Sequence, residues 1–327
     1  MISYAVMCHP KSGCRGSYRE SVLTPPDDLP EPVVRDALAA GWSLTAATLD
    51  YRAVGFGAHH WAVVDAGGRR WFVSVADLRK GGFDQVGGFD QLLASLTAAT
   101  ALRDSGCDFV VAPVGAPVVR VGEFYAMTVY PHVEGESFGW DDYSDSHRAA
   151  MLDLVVAVHA APTSVRDLAC ADDYAIPAGG PVRPEAGPYG PRVAELDLGP
   201  VSAATARYGS LVDGVRSSPP EMVLTHGEPH PGNTMRAGGR WLLIDWETAM
   251  VAPPERDVWQ LDGMQEAYTA ATGVVLRADA LELYRLRWDL SEIAEGLAWF
   301  AAPHGDTEDD RETWDNLVES LGNLSAS

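Results

Sequence analysis

Between Leu224 and Asn233 the chain reads LTHGEPHPGN, and Gly227, Pro229, Pro231 and Gly232 exclude a helix there. The backbone has to be an irregular loop, so His226, Glu228, His230 and Asn233 act from turns and not from one helical face. Two chemistries use such letters, and the first is zinc. Zinc proteases place His-Glu-x-x-His on a helix, with both imidazoles on one side. His226 and His230 have the separation but lack the helix. Zinc deaminases open with His-x-Glu and close with Cys-x-x-Cys. His226-Gly227-Glu228 matches the opening, but Cys8, Cys14, Cys107 and Cys170 contain no such pair.

The second chemistry is phosphoryl transfer. It asks for a carboxylate facing the acceptor hydroxyl, an Asn and an Asp for metal ions, and a device that holds the phosphates. A loop His-x-Asp-x-x-x-x-Asn followed by a hairpin and another Asp supplies the first three. Here Glu228 stands at the carboxylate position and Asn233 at the amide. The turn "RAGGRW" and the run "LLIDWETA" then return Asp245, 12 residues past Asn233.

Upstream, the patterning predicts a short helix over 32–40 and strands over 49–54, 60–65 and 69–75. The glycine turn "VGFG" lies between the first two strands. Apolar spacing predicts a helix over 89–106, stopped by Gly106. Strands are expected over 109–112 and 123–133, then a polar break, "EGESFG", and a helix from Asp145. Residues 171–192, rich in Pro and Gly, form the longest irregular segment. The C-terminal third is helical, with Leu283, Leu286, Leu290, Ile293 and Leu297 as a core-facing stripe and Glu282, Arg285, Asp289 and Glu292 opposite it.

The loop, the Asp245-Trp246 segment and the run "VAPPERDVW" after it resemble the aminoglycoside-phosphotransferase family of antibiotic kinases. The likeness is greatest to its spectinomycin phosphotransferases, whose loop also carries a second His, as His230 does here. The resemblance runs from about residue 49 to the C-terminus, and residues 225–259 carry its specificity. It implies an α+β, bilobal protein-kinase-like fold. A small antiparallel β lobe with one helix would occupy 21–133, with a hinge near 130–135. A larger, mainly helical catalytic lobe would occupy 134–327, and residues 1–20 would be a flexible tail.

The resemblance also implies roles. Glu228 would be the catalytic carboxylate, His226 the loop's anchor and Asp257 its brace from below. Asn233 and Asp245 would hold Mg²⁺. Gly55 and Gly57 would cover the phosphates of ATP or GTP, and Tyr130, His132 and Val133 would form the hinge that reads the purine. The acceptor would be a small-molecule antibiotic, with His230, Glu247, Trp288, Asp289 and Glu292 as candidate contacts.

Charge agrees with such a substrate. The formal net charge of −22 disfavours nucleic acid, whose binding rests on basic side chains, and favours a cation. No uninterrupted apolar run approaches the ~18 residues of a membrane span, and the first 20 residues carry no apolar signal core. The cysteine spacing fits a reducing cytoplasm.

Two departures from the family pattern stand out. Glu228 replaces Asp and reaches one methylene further at nearly the same intrinsic pKa, so the acceptor geometry has to shift. Ser74 stands where the third strand should offer a phosphate-binding Lys. The chain has two lysines, Lys11 and Lys80, which makes Lys80 the substitute, with Arg79, Arg69 and Arg70 nearby and Asp90 standing in for the missing partner Glu. Two rival readings stay open: the same chemistry on a nucleoside-type antibiotic or other sugar hydroxyl, and a catalytically silent binding protein on this fold.

Overall fold

The computed structural model describes residues 25–54, 58–79, 88–139, 142–177 and 179–326. The first helix, α1 (Glu31–Trp42), starts with a proline in its first turn, where the missing N–H costs nothing. Three antiparallel strands follow, β1 (Ala46–Arg52), β2 (Ala58–Asp65) and β3 (Arg70–Asp77), then α2 (Gly88–Asp104), β4 (Val119–Val121) and β5 (Tyr125–Pro131). They form one sheet in the order β1-β2-β3-β5-β4.

Side chains alternate across this sheet, and the alternation defines the cleft. Trp61, Val63, Val73, Val75, Met127 and Val129 pack on one face with Val34 and Leu38 of α1. Phe72, Ala76, Ala126 and Tyr130 point the other way and join the core of the second lobe. Helix α2 belongs to both lobes. Its Leu92, Leu96, Ala99 and Leu102 share that core with Trp246 and Ala249, and Ser95 Oγ donates to the Ala249 carbonyl at 2.8 Å.

The second lobe begins at β6 (Glu136–Ser137) and continues through α3 (Asp145–His159), α4 (Thr163–Arg166), α5 (Gly190–Ala194) and α6 (Gly199–Ser217). Next come β7 (Val223–Thr225), β8 (Thr234–Ala237), β9 (Arg240–Leu243) and β10 (Met250–Ala252), then α7 (Glu255–Val258), α8 (Gln265–Thr272), α9 (Ala278–Ala301) and α10 (Glu308–Ala326). Strands β7 and β10 pair antiparallel and flank the loop, and β8–β9 is the expected hairpin. Among the described residues no helix is long and apolar enough to cross a membrane.

Three expectations change in detail. Residues 109–112 are not a strand: Val110 makes a single parallel bridge to Leu243, and Pro113 closes the run. The strand expected over 123–133 starts at Tyr125, because Gly122 turns the chain with φ +62 and pairs it back to the three residues of β4. The polar break "EGESFG" is itself partly strand, since β6 pairs with β8 and Arg236 reaches Glu136 at 2.7 Å.

Candidate active site

The loop between β7 and β8 hangs on one buried carboxylate. Asp257, in α7, is fully buried and accepts three hydrogen bonds. The backbone N–H of His226 donates to it at 2.8 Å, that of Gly227 at 2.6 Å, and His159 Nε2 from α3 at 3.0 Å. Burial alone would raise its pKa; the hydrogen bond and charge of His159, then the charge of Arg256, hold it below the ordinary range. Gly227 adopts φ +100, and an added Cβ would lie 2.5 Å from the Arg256 guanidinium. That guanidinium is itself fixed, donating to Thr225 Oγ1 at 2.8 Å and to the Thr248 carbonyl at 2.9 Å.

His226 joins the two halves of the site. Its Nε2–H donates to the Ile244 carbonyl at 2.9 Å, and its Nδ1 accepts from the Glu228 N–H at 3.3 Å. Both ring nitrogens are occupied, so this imidazole is neutral and has no lone pair for a metal. Burial agrees, pushing its pKa down to about 4. Trp246 packs edge-on against the ring at 4.7 Å. Between Ile244 and Trp246, Asp245 takes φ +65 with its side chain exposed. Left-handed backbone costs a non-glycine residue roughly 1–2 kcal/mol. The Ile244 N–H bond to the Asn233 carbonyl, 2.9 Å, helps hold it there. That bond continues the β8–β9 ladder by one pair and sets Asn233 beside Asp245.

Within the loop, Asn233 Nδ2 donates to the Glu228 carbonyl at 3.0 Å, which leaves Oδ1 as the end able to coordinate. His230 Nε2 lies 3.6 Å from a Glu228 carboxylate oxygen. Asn233 and Asp245 together offer hard oxygen donors on one side of the cleft. Mg²⁺ is commonly held by one or two protein carboxylates plus water and substrate phosphate, and this donor set fits it. Among the described residues no group of three or more His, Cys, Asp or Glu is gathered to hold an ion unaided, so a bound ion would depend on the nucleotide for the rest of its shell.

The ceiling of the cleft is the inner face of the sheet. Register places Arg52, His60, Ser74 and Thr128 in one row across β1, β2, β3 and β5. Ser74 is buried, and its Oγ donates to Glu247 Oε1 at 3.1 Å, a hydrogen bond between the two lobes. Burial raises the Glu247 pKa, the bond from Ser74 lowers it, and the charge of Glu228 raises it again, with a net rise. Tyr130 lies next to the end of β5, and its phenol feels this group. Burial, then the charges of Glu247 and Asp245, hold its phenol well above its ordinary range.

Other expected contacts lie elsewhere. Arg79 is occupied on the outer side of the sheet by Asp77, Asp28 and Tyr125, and Arg69 stacks over Trp71 at 4.1 Å. His132 directly follows β5 and its N–H reaches the Arg70 carbonyl at 3.4 Å, with Val133 next to it. Gly55, Gly57 and Lys80, and the tail over 1–20, lie outside the described residues. On α9, Trp288 packs beside Trp259 at 5.7 Å, and Glu292 is half-buried one turn on. Asp289 is not on the solvated face expected of it. It is buried against α10 and accepts from Asn323 at 3.0 Å, because α10 covers that side of α9.

Sequence reasoning passed over His159, Arg256 and Tyr268. His159 lies between Asp257 and the Tyr268 hydroxyl, 2.9 Å away. Its only mark in the chain is a polar residue ending the apolar run "LVVAVH". Arg256 sat inside the quoted "ERD" run without a role.

A family model described as "Phosphotransferase enzyme family" matches residues 50–295. Protein StrN of Streptomyces griseus is 41% identical over 98 residues, which is 30% of this chain and 29% of StrN. The chain thus spans less than a third of that relative's length. Among solved structures, spectinomycin phosphotransferase APH(9)-Ia in complex with ADP and spectinomycin superposes with a TM-score of 0.58 at 16% identity, covering 88% of this chain and 93% of that one. An ethanolamine kinase of Plasmodium vivax reaches a TM-score of 0.57 at 10% identity, over 93% of this chain and 90% of that one. At such identities the likeness is one of fold, here the bilobal kinase-like fold.

Proposed function

The chain belongs to the phosphotransferase enzyme family, and on that premise we propose that it transfers the γ-phosphate of a nucleotide, ATP or GTP, to a hydroxyl of an aminocyclitol- or aminoglycoside-type antibiotic. The observation that supports this reading is the loop suspended from Asp257, which carries Glu228 and Asn233, together with the Ile244 N–H bond to the Asn233 carbonyl one residue before Asp245. Glu228 accepts the hydrogen bond of the acceptor hydroxyl and orients its oxygen for in-line attack. Asn233 Oδ1 and the Asp245 carboxylate would hold Mg²⁺, which would supply neutralisation of phosphate charge. His226 stays neutral and structural, fixing the Glu228 N–H and the peptide before Asp245 together. The resulting activity is antibiotic resistance, placed in the cytoplasm, where nucleoside triphosphate is available.

The acceptor class rests on charge and on α9. Trp259, Trp288 and Glu292 put indole faces and a carboxylate near one another, and the whole chain is strongly acidic. A neutral sugar hydroxyl, such as that of a nucleoside-type antibiotic, is the second acceptor reading, supported by the same two indoles as stacking surfaces. Ser74 in place of a lysine motivates the third reading, a binding protein without turnover.

One experiment separates the three: incubation with γ-labelled ATP and GTP, with Mg²⁺, against a panel of aminocyclitols, aminoglycosides and nucleoside antibiotics. Label on an aminocyclitol or aminoglycoside is the expected result. Label only on a neutral acceptor moves the assignment to the second reading. Nucleotide binding with no transfer to any of them overturns the enzymatic one.

A further inference from the structure

Loss of the strand lysine leaves the ceiling of the cleft needing a cation, and β1 holds one that no sequence pattern marks. Arg52 is the last residue of β1, three positions before Gly55. Its register partner is His60, whose own partner is Ser74, so Arg52 projects from the inner face of the sheet in the Ser74 row. Two strand spacings of about 4.8 Å separate those backbones, within the combined reach of an arginine side chain and a ligand at that row.

Its surroundings fit a ligand-binding group. With Asp50, Ala62, Val64, Arg70 and His132 it lines a cavity of about 80 Å³ on the hinge side of the sheet. The Arg52 Nε is buried and makes no hydrogen bond among the described residues. A desolvated guanidinium nitrogen without a partner is costly, and that cost is offset when an anionic ligand supplies the acceptor. The other cations at this end of the sheet are committed: Arg70 pairs with Glu134, and Arg79 and Arg69 face outward. Charge balance points the same way. Asp245, Glu247 and Glu228 line the lower side of the cleft, so nucleotide phosphates arriving there meet carboxylates, and Arg52 is the cation on the opposing row.

We propose that Arg52 contacts the phosphates of the bound nucleotide and serves in place of the lysine absent at Ser74. It acts as a positioning residue for the donor, and the inference rests on the nucleotide-dependent reading above. A planar fork donates two parallel hydrogen bonds in a fixed geometry, whereas a lysine acts as a point charge on a flexible stem. The phosphates are thereby held from β1 and not from β3. Ser74 is left to its bond with Glu247.

Calorimetric titration of the whole chain with ADP and with adenosine tests this, using GDP and guanosine if the wild type prefers guanine. The variants are Arg52→Gln and Arg52→Lys. Loss of a charge-assisted bond should weaken ADP binding roughly ten- to hundredfold in R52Q. Adenosine affinity and the KM for the acceptor should stay within about twofold, because neither meets the lost charge. R52K should recover part of the loss, as a point charge without the fork, and it carries the test if R52Q does not fold. ADP affinity unchanged in both variants overturns the proposal. Equal losses for ADP and adenosine overturn it too, by assigning Arg52 to the base. Wild-type protein that binds no nucleotide removes the nucleotide reading itself, a failure distinct from normal binding by R52Q.

Discussion

Replacing Gly227 by alanine tests how rigidly the catalytic loop is set. Two costs combine. At φ +100 an L-residue pays a backbone cost of roughly 1–2 kcal/mol. The new Cβ would also lie 2.5, 2.6 and 2.7 Å from three guanidinium atoms of Arg256, which is 2% exposed and has little room to retreat. Moving it breaks the bonds to Thr225 Oγ1 and the Thr248 carbonyl, each worth about 1.5–3 kcal/mol for a charged donor. Even with partial relaxation the sum is about 4 kcal/mol, which in a chain of this size lowers the melting temperature by roughly 6 °C. Gly263→Ala is the control. Its φ of +77 carries the same backbone cost, and no atom lies within 4 Å of the added Cβ. Melting by circular dichroism and turnover with labelled nucleotide are measured on both variants. G227A should melt well below G263A and lose about a hundredfold in turnover, because Glu228, the next residue, moves on the ångström scale. Equal melting temperatures with turnover intact would refute a loop braced against Arg256.

Asp245→Gly should separate stability from function: relief of the left-handed strain leaves the melting temperature unchanged or slightly higher, while turnover disappears, and retained turnover would remove Asp245 from the metal site. Acidification should act through His226. Its folded pKa of about 4 lies below the unfolded 6.5, so between those values the unfolded chain binds the extra proton. Its contribution is therefore intact above pH 6.5 and lost as the pH falls toward 4, by roughly 3 kcal/mol in all; denaturant midpoints from pH 7 to 4 follow it, and a His226→Gln variant that declines just as steeply would exclude His226 as the cause. Asp257→Asn should cost about 2–4 kcal/mol, since an amide leaves one of three buried donors facing another donor; a melting temperature within about 1.5 °C of wild type, roughly the effect of 1 kcal/mol, would mean the loop is held by something else.

Much of the geometry was legible in the chain, and the exceptions share a physical cause. Runs rich in β-branched and aromatic residues marked β2, β3 and β5, whose two faces pack on different cores, and that composition is a local property. The loop was legible because prolines and glycines forbid helix and leave the spacing of Glu228, Asn233 and Asp245 to be read directly. Strand β4, three residues long, is held by pairing to β5 and not by any pattern of its own. His159, Arg256 and Arg52 depend on contacts with residues far away in sequence. Asp289 shows the converse failure: its helical position predicts solvent, and α10 covers it. Periodicity reports which face is apolar, not what packs on the polar one.

The two departures from the family pattern, Ser74 and Glu228, meet at one carboxyl group. Ser74 donates to Glu247 across the cleft, and the charge of Glu228 acts on that same carboxyl. A lysine at position 74 would place an ammonium against Glu247 and form an ion pair there, whereas the shorter serine supplies an uncharged donor and lets burial dominate. Glu247 then titrates above the ordinary carboxylate range, which reduces the negative charge facing an incoming phosphate at lower pH. The Glu228 carboxylate that acts on Glu247 also lies 3.6 Å from His230 Nε2. The exchanges at 74 and 228 are therefore coupled through Glu247. Restoring a lysine at 74 alone would set its ammonium against Glu247 as an ion pair, and in the reading proposed above the cation for the nucleotide comes from β1 instead.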